Sequence, residues 1–483
     1  MSGAHSGQSN CPLVVDLDGT LLRTDLLVES FFTLLSHRPH ETIGALQALR
    51  LGRAALKAKL ADQAVFEVAS LPFNEEVLAY VVGEKAKGRN IYLASASDKR
   101  LVQSLADHLG IFDGVFGSED GVNLAGQRKA DLLCAIFGEG GFDYIGDAPV
   151  DEAVWRRARG VFLADARPSH LDAVRRWAPH AEAIGTRRSF VSGRVWLDYV
   201  RAMRLHQWLK NVLVLVPALA AHRLGGSFLA SVLGFISFSL CASSVYILND
   251  LLDLRSDRAH ARKRLRPFAA GRIPLVKGAL LFPALLASSL LVGLFLPWRF
   301  LLVLVGYYVL TCAYSFWLKR KTLVDVVTLA CLYGTRLVAG SAAASIALSP
   351  WLVAFSIFIF FCLALVKRCA ELVDSKARGC SGLLAGRGYA TEDFPVLQAM
   401  STASGFVSVL VLALYIDRPA IRALYSHPAR LWPIAVLLLY WVSRTILMTH
   451  RGLMHDDPVV FAVKDRTSLL VALACVLLMA ASI

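Results

Sequence analysis

Three carboxylates and an amide stand together at Asn249-Asp250-x-x-Asp253-x-x-x-Asp257, where offsets of 3 and 7 put Asp250, Asp253 and Asp257 on one face of a continuing helix. Like charges stacked this closely repel, and a helix tolerates them mainly when cations neutralise them. Oxygen ligands of this type suit Mg2+, which keeps several waters and bridges to substrate phosphates. A second group of candidates lies far N-terminal: Asp16-x-Asp18-Gly19-Thr20, then Ser95, Lys129 and Gly146-Asp147-x-x-x-Asp151. Taken singly, each is an ordinary turn former or solvated charge. A third group, Lys367, Glu371 and Asp374, shares a helix face at offsets 4 and 7, with Arg368 beside it.

The elements that must position these groups are of two kinds. Residues 12–20, 91–97, 112–116, 142–147 and 160–165 are short apolar runs separated by helix-forming stretches, the pattern of a parallel α/β sheet with ligands at the strands' C-terminal ends. The insertion between Leu26 and Leu71 is mostly helix-forming and predicts a helical cap. From residue 191 onward the chain carries nine apolar stretches near the length that crosses a ~30 Å hydrocarbon core. They run over about 209–222, 228–248, 276–296, 299–317, 323–344, 351–372, 399–416, 431–448 and 467–483.

Composition agrees with this division. The 483 residues are 56% hydrophobic and 18% charged, too oily for a soluble enzyme throughout. Residues 1–190 hold 21 Lys+Arg against 24 Asp+Glu, a net −3, whereas 191–483 hold 30 against 13, a net +17. The positive charge lies between apolar runs, where it faces anionic lipid or phosphorylated substrate and argues against nucleic acid. The loop 251–275 contains seven Lys or Arg, and 318–322 contains Lys319, Arg320 and Lys321. By the positive-inside rule these loops face the cytoplasm, with the C-terminus outside; the Arg418, Arg422 and Arg430 loop is the exception. MSGAHSGQSN lacks the cationic flank and apolar core of a secretion signal, so the N-terminal part is expected in the cytoplasm. The stretch 195–210 mixes Trp196, Tyr199 and Trp208 with Arg201, Arg204 and Lys210, as an interfacial helix would. Nine cysteines form no C-x-x-C pair and suggest neither disulfides nor a thiolate metal site.

In order and placement, the Asp16-x-Asp18-Gly19-Thr20, Ser95, Lys129 and Gly146-Asp147-x-x-x-Asp151 motifs resemble those of the haloacid dehalogenase-like phosphohydrolases, over roughly residues 12–175. The resemblance implies Asp16 as nucleophile and Asp18 as general acid/base. It also implies Ser95 and Lys129 on the phosphate, and a Mg2+ held among Asp16, Asp18, Asp147 and Asp151.

Asn249-Asp250-x-x-Asp253-x-x-x-Asp257, followed by Arg266-Pro267 and Gly271, resembles the first aspartate-rich motif of the UbiA-type intramembrane prenyltransferases, over about 200–483. In that family the carboxylates hold Mg2+ on a departing diphosphate, and a second aspartate cluster follows roughly 120 residues later. Here that position reads Lys367-Arg368-Cys369-Ala370-Glu371-Leu372-Val373-Asp374, with a lysine for one expected carboxylate. Together with Gln207-Trp208-x-Lys210-Asn211 and Tyr314-Ser315-x-x-x-Lys319, this is similar to the decaprenyl-phosphate phosphoribosyltransferase branch.

That branch implies transfer of 5-phosphoribose from 5-phosphoribosyl 1-diphosphate to a polyprenyl phosphate, with the N-terminal domain removing the 5-phosphate. Asp250, Asp253 and Asp257 would bind the Mg2+ diphosphate, with Asn249 orienting it. Lys210, Lys263, Arg264, Arg266, Tyr314, Lys319, Lys367, Arg368 and Glu371 are the candidates for the remaining substrate contacts. Asp325 and Arg336, an offset of 11 apart, share a face and serve either a cavity or polar partners between helices. The resulting expectation is an α/β Rossmann-like hydrolase domain with a helical cap over 1–185, an interfacial linker over 186–208, and an all-α transmembrane transferase over 209–483 in the plasma membrane. An aromatic polyprenyltransferase of quinone synthesis with a fused phosphatase is the nearest alternative, and Lys367 argues against it. A transporter with a regulatory head would show internal inverted symmetry, and none is visible. The glycines at 379, 382, 386 and 388 make 375–394 a candidate lid or a plain connector.

Overall fold

The computed structural model describes residues 11–482, apart from 49, 51, 64–67, 120, 186–192, 224, 261, 378–381, 383–386, 420–424 and 455–456. Of the expected linker 186–208, residues 186–192 lie outside the described part, as do Gly379, Gly386 and Arg422; the expected interfacial helix 195–210 is an α-helix over Gly193–Met203 and a 3-10 segment from Leu205. The chain divides into two compact units, Met1–Met203 with Tyr246–Pro283, and Arg204–Val245 with Ala284–Ile483.

The first unit is built on a sheet of six parallel strands: β1 (Leu13–Asp16), β2 (Ile91–Asp98), β3 (Gly114–Ser118), β4 (Asp143–Gly146), β5 (Gly160–Ala164) and β6 (Glu182–Ile184), in the order β3-β2-β1-β4-β5-β6. The order reverses at β1, whose neighbours are β2 and β4, so the C-terminal ends of these three strands form a crevice where ligands bind in open α/β sheets. Both faces of β1 are buried, with Leu13 and Val15 in one core and Val14 in the other, which is why LVVD shows no polar alternation. The predicted cap is present as helices Leu26–His37, Pro39–Ala48 and Arg53–Gln63, packed around Leu34, Ala45, Leu56 and Leu60. Asp25 caps the first of them, accepting from the amides of Leu27 and Val28.

Seven helices among the described residues are long and apolar enough to cross a membrane: Gly226–Leu252, Leu275–Gly293, Trp298–Phe316, Val324–Ala344, Pro350–Ala377, Thr391–Ile416 and Pro428–His450. Two of the nine expected spans differ. The stretch 209–222 folds as the 3-10 segment Leu205–Val214 and a short helix Val216–Ala220, with Lys210 and Asn211 turned inward and Pro217 near the junction. The last forms the 17-residue helix Arg466–Ser482, about 25 Å long at 1.5 Å per residue. With these apolar helices, the chain is a multi-pass membrane protein carrying an α/β domain.

Candidate active sites

Asp16 ends β1, and Asp147 directly follows β4 at the same edge of the sheet. Between them lies Gly19, at φ +84, where an added Cβ would fall 2.7 Å from the Asp147 carboxylate. Only glycine lets the chain turn there and the carboxylate come so close. Asp151 is held by Tyr144, whose hydroxyl donates to it at 2.9 Å, and by the amides of Asp147 and Ala148 at 3.3 and 3.2 Å. Oxygens of Asp16, Asp147 and Asp151 lie within 4.8 Å of one another, the one such group of potential metal ligands among the described residues. Hard carboxylate oxygens at this density suit Mg2+.

Lys129 reaches the same place from helix Gln127–Phe137, with Nζ 2.6 Å from Asp16 Oδ1, 2.9 Å from the Tyr144 hydroxyl and 3.8 Å from Asp151. Burial works against its charge, but Asp16 and Asp151 outweigh burial and raise its pKa. Burial pushes the Asp16 carboxyl up to about 8 against the pull of Lys129. A cation among the carboxylates would favour the ionised form of Asp16.

Asp18 is outside the three-carboxylate group, contrary to its expected place among the metal ligands. Its oxygens accept from the Ser95 hydroxyl at 3.0 Å, the Ser97 hydroxyl at 2.7 Å and the Leu26 amide at 2.8 Å. These bonds fix a carboxylate beside Asp16 without committing it to the cation, which suits an acid/base role better than ligation. Ser97 and Tyr144 escaped the sequence reading. The i, i+2 alternation of Ser95 and Ser97 along β2 was the available signal for the first. The cap meets the core here, as Lys57 Nζ donates to Ala96 O at 2.5 Å and Asn123 Oδ1 at 2.8 Å.

The Asp250 cluster belongs to the same unit. The helix does not continue through it. Gly226–Leu252 ends before Asp253, and a short helix, Leu254–Ala259, carries Asp257. The i to i−4 bonds survive, from Asp253 N to Asn249 O at 2.9 Å and from Asp257 N to Asp253 O at 2.8 Å. Asp250 and Asp257 are buried and Asp253 is half-buried. Arg266, expected on a substrate phosphate, bridges Asp250 at 3.2 Å and Asp257 at 2.6 Å. The three carboxylates are not gathered within 4.8 Å of one another as Asp16, Asp147 and Asp151 are, contrary to the expected ligand set, and the Arg266 guanidinium supplies the neutralising charge between Asp250 and Asp257. Lys263 and Arg264 sit on an exposed 3-10 turn, Lys263–Leu265, and Asn249 is half-buried in the helix above.

In the second unit the cations form two groups. Lys210 and Lys367 converge on Asp457 Oδ2 at 2.8 and 3.1 Å, while the Tyr333 hydroxyl donates to its Oδ1 at 3.2 Å. Burial opposes the Asp457 charge, but the two ammonium groups hold its carboxyl well below the usual carboxylate range. Lys367 and Glu371 keep their shared face on the unbroken helix Pro350–Ala377, but the ion pair of Lys367 is with Asp457. Glu371 pairs instead with Arg368, one turn away, and stands 3.9 Å from Arg387.

Arg368 also pairs with Asp325 at 2.6 Å, and Arg387 approaches Asp325 at 3.0 Å and the Tyr314 hydroxyl at 2.9 Å. Asp325 is therefore a partner between helices. So is Arg336, which donates to Asn211 at 2.9 Å and lies over the rings of Phe238, Tyr307 and Tyr333. Lys319 lies half-buried on the turn Leu318–Arg320, and Trp208 donates to Ser243 at 2.9 Å. Asp457 and Arg387 were missed, the first being one of two aspartates before a proline and the second one arginine in a glycine-rich connector.

The chain is 37% identical to the uncharacterized protein y4nM of Sinorhizobium fredii over 464 residues, 95% of this chain and 88% of that one. It is 32% identical to the nodulation protein NoeC of Azorhizobium caulinodans over 58% of this chain and 92% of NoeC. Its identity with the decaprenyl-phosphate phosphoribosyltransferase of Mycolicibacterium smegmatis is 34% over 43% of this chain and 66% of that protein. A UbiA homologue from Archaeoglobus fulgidus bound to GPP and Mg2+ superposes with a TM-score of 0.45 at 17% identity, covering 59% of this chain and 99% of that one. A phosphoserine phosphatase in apo form does so with a TM-score of 0.26 at 16% identity, covering 37% and 95%. The profile of the UbiA prenyltransferase family matches residues 212–459, just over half of the sequence, and the chain belongs to that family.

Proposed function

We propose that the chain transfers 5-phosphoribose from 5-phosphoribosyl 1-diphosphate to a polyprenyl phosphate, and that its N-terminal domain then hydrolyses the 5-phosphate. The observation that carries the reading is the lysine-arginine pair Lys367-Arg368 where a second aspartate cluster is usual, in a chain 34% identical to a decaprenyl-phosphate phosphoribosyltransferase over 43% of its length. A cation there fits an anionic acceptor, whereas an aromatic acceptor needs none.

In the transfer step a lipid-phosphate oxygen forms a bond to C1 of the ribose as the bond from C1 to the diphosphate oxygen breaks. Asp250, Asp253 and Asp257 would hold Mg2+, which supplies neutralisation of the leaving diphosphate. Asn249 orients the diphosphate, and Arg266 moves between carboxylate and phosphate partners. Lys210, Lys367 and Arg368 bind phosphate oxygens, while Glu371, Tyr314 and Asp457 hold those cations in place. Lys263, Arg264 and Lys319 add positive charge for a polyanionic donor entering from the cytoplasm.

In the hydrolytic step Asp16 attacks phosphorus to give an aspartyl phosphate, and Asp18 protonates the departing ribose oxygen. Asp18 then takes a proton from the water that cleaves the acyl phosphate. Lys129 and Ser95 stabilise phosphate oxygens, and Asp16, Asp147 and Asp151 are the residues that would hold a Mg2+. Placing both activities on one chain in the plasma membrane, with the head in the cytoplasm, keeps the first product near the second site.

The test is to incubate membranes with labelled phosphoribosyl diphosphate and polyprenyl phosphate. Wild type should give a lipid-linked ribose and Asp16→Asn a lipid-linked 5-phosphoribose. Identical products from the two would refute the hydrolytic step.

A further inference from the structure

The loop after Asp257 is tied to the N-terminal domain by a buried ion pair. Arg258 donates to both oxygens of Glu29, at 2.6 and 3.1 Å, with the two side chains only 6% and 4% exposed. Glu29 stands in the first turn of the cap helix Leu26–His37 and accepts from Thr24 at 2.9 Å. The same guanidinium donates through Nε to Ala269 O at 3.1 Å, so it also clasps the far arm of the loop, just beyond Arg266. Gly271, at φ +65, seats that arm on the head: an added Cβ would lie 2.8 Å from Arg23 Cβ, 3.0 Å from Arg23 O and 3.3 Å from Pro72 Cβ. Arg23 and Pro72 lie on the two crossings between cap and core, joined by the Arg23 N to Pro72 O bond at 2.8 Å.

We infer that Glu29, a residue of the head, is a positioning residue for the transferase, fixing through Arg258 the loop whose carboxylates bind the diphosphate. A charge whose only task was to set topology would stay solvated. Desolvating a guanidinium and a carboxylate is costly, and their best-attested use when buried is to specify one geometry. Without the Glu29 charge, Arg258 is left buried beside Asp257, its chain neighbour, and the set made by Asp250, Asp257 and Arg266 loses its support. Arg258 acts at one remove, through the loop backbone at Ala269, and groups that orient a metal's ligands carry about 10–100-fold in affinity when removed.

The inference rests on the reading of Asp250, Asp253 and Asp257 as diphosphate ligands, and the experiment separates the two. The full chain in detergent is titrated with inorganic pyrophosphate in Mg2+ by calorimetry, and the KM for phosphoribosyl diphosphate is measured. Glu29→Gln should weaken pyrophosphate binding about tenfold or more and raise KM more than it lowers kcat. Glu29→Asp and the reversed pair Glu29→Arg/Arg258→Glu should recover most of the binding, and retained hydrolysis of p-nitrophenyl phosphate reports a folded head. Should Glu29→Gln fail to fold, Glu29→Met/Arg258→Met replaces the pair by apolar packing, and the same weakening is expected. Wild-type pyrophosphate affinity in a folded variant lacking the pair overturns the inference alone. Wild-type affinity in Asp257→Asn overturns the diphosphate reading and the inference with it.

Discussion

Gly19 shows how one position governs a site. Its φ of +84 and the 2.7 Å gap to Asp147 mean that Gly19→Ala costs about 1–2 kcal/mol in backbone strain and displaces a carboxylate. The expected outcome is weaker Mg2+ binding, read in phosphate-ester hydrolysis as half-saturation at higher Mg2+; an unchanged profile would refute the placement. Asp457 governs the cations in the same way, since Lys210 and Lys367 share its one carboxylate. Asp457→Asn leaves the buried Lys210 and the half-buried Lys367 without their counter-charge, and breaking a fully buried pair costs about 3–5 kcal/mol, an upper bound here. Thermal unfolding in detergent should show the loss, and Lys367→Met in the same background should recover part of it. At this scale the motif residues were legible because carboxylates at fixed offsets have few other uses. Asp457, Arg387, Ser97 and Tyr144 were not, because their roles depend on partners distant in sequence, such as the 90 residues between Lys367 and Asp457.

Among the elements, β4 carries an ion cluster that makes a pH prediction. Burial raises the Asp143 pKa, but the hydrogen bond and charge of Arg159, with Arg89, outweigh it and hold the carboxyl below its usual value. A depressed folded value contributes stability that is present above the unfolded value of about 3.9 and is lost as pH falls through the folded one. The stability difference between wild type and Asp143→Asn should therefore be constant from pH 7 to about 5 and shrink below about 4. A constant difference to pH 2 would contradict the pairing. The elements themselves were largely legible. The apolar strands and the helical insertion follow from periodicity, and the reversal of strand order at β1 places Asp16 and Asp147 side by side. What was not legible is the interruption at Asp253, where an unbroken amphipathic pattern conceals the end of one helix and the start of another. The expected span 209–222 departs for another reason, since its apolar run contains Lys210 and Asn211, which are buried within a 3-10 segment instead of facing lipid.

For the whole molecule, the charge imbalance between residues 1–190 and 191–483 and the succession of apolar stretches were enough to separate an α/β domain from a polytopic membrane region. The sequence could not show that Tyr246–Pro283 belongs with the N-terminal unit, where Arg258 meets Glu29, 229 residues away in sequence, and Gly271 sits against Arg23 and Pro72. The most direct measurement of the central claim is mass spectrometry of the lipid product formed by purified Asp16→Asn chain from phosphoribosyl diphosphate, polyprenyl phosphate and Mg2+. The account predicts a polyprenyl phosphate carrying one 5-phosphoribosyl group, formed with one equivalent of diphosphate and abolished when Asp250, Asp253 and Asp257 are replaced by alanine. Unmodified polyprenyl phosphate from the Asp16→Asn chain, or the same yield from the alanine variant in chelator, would contradict it.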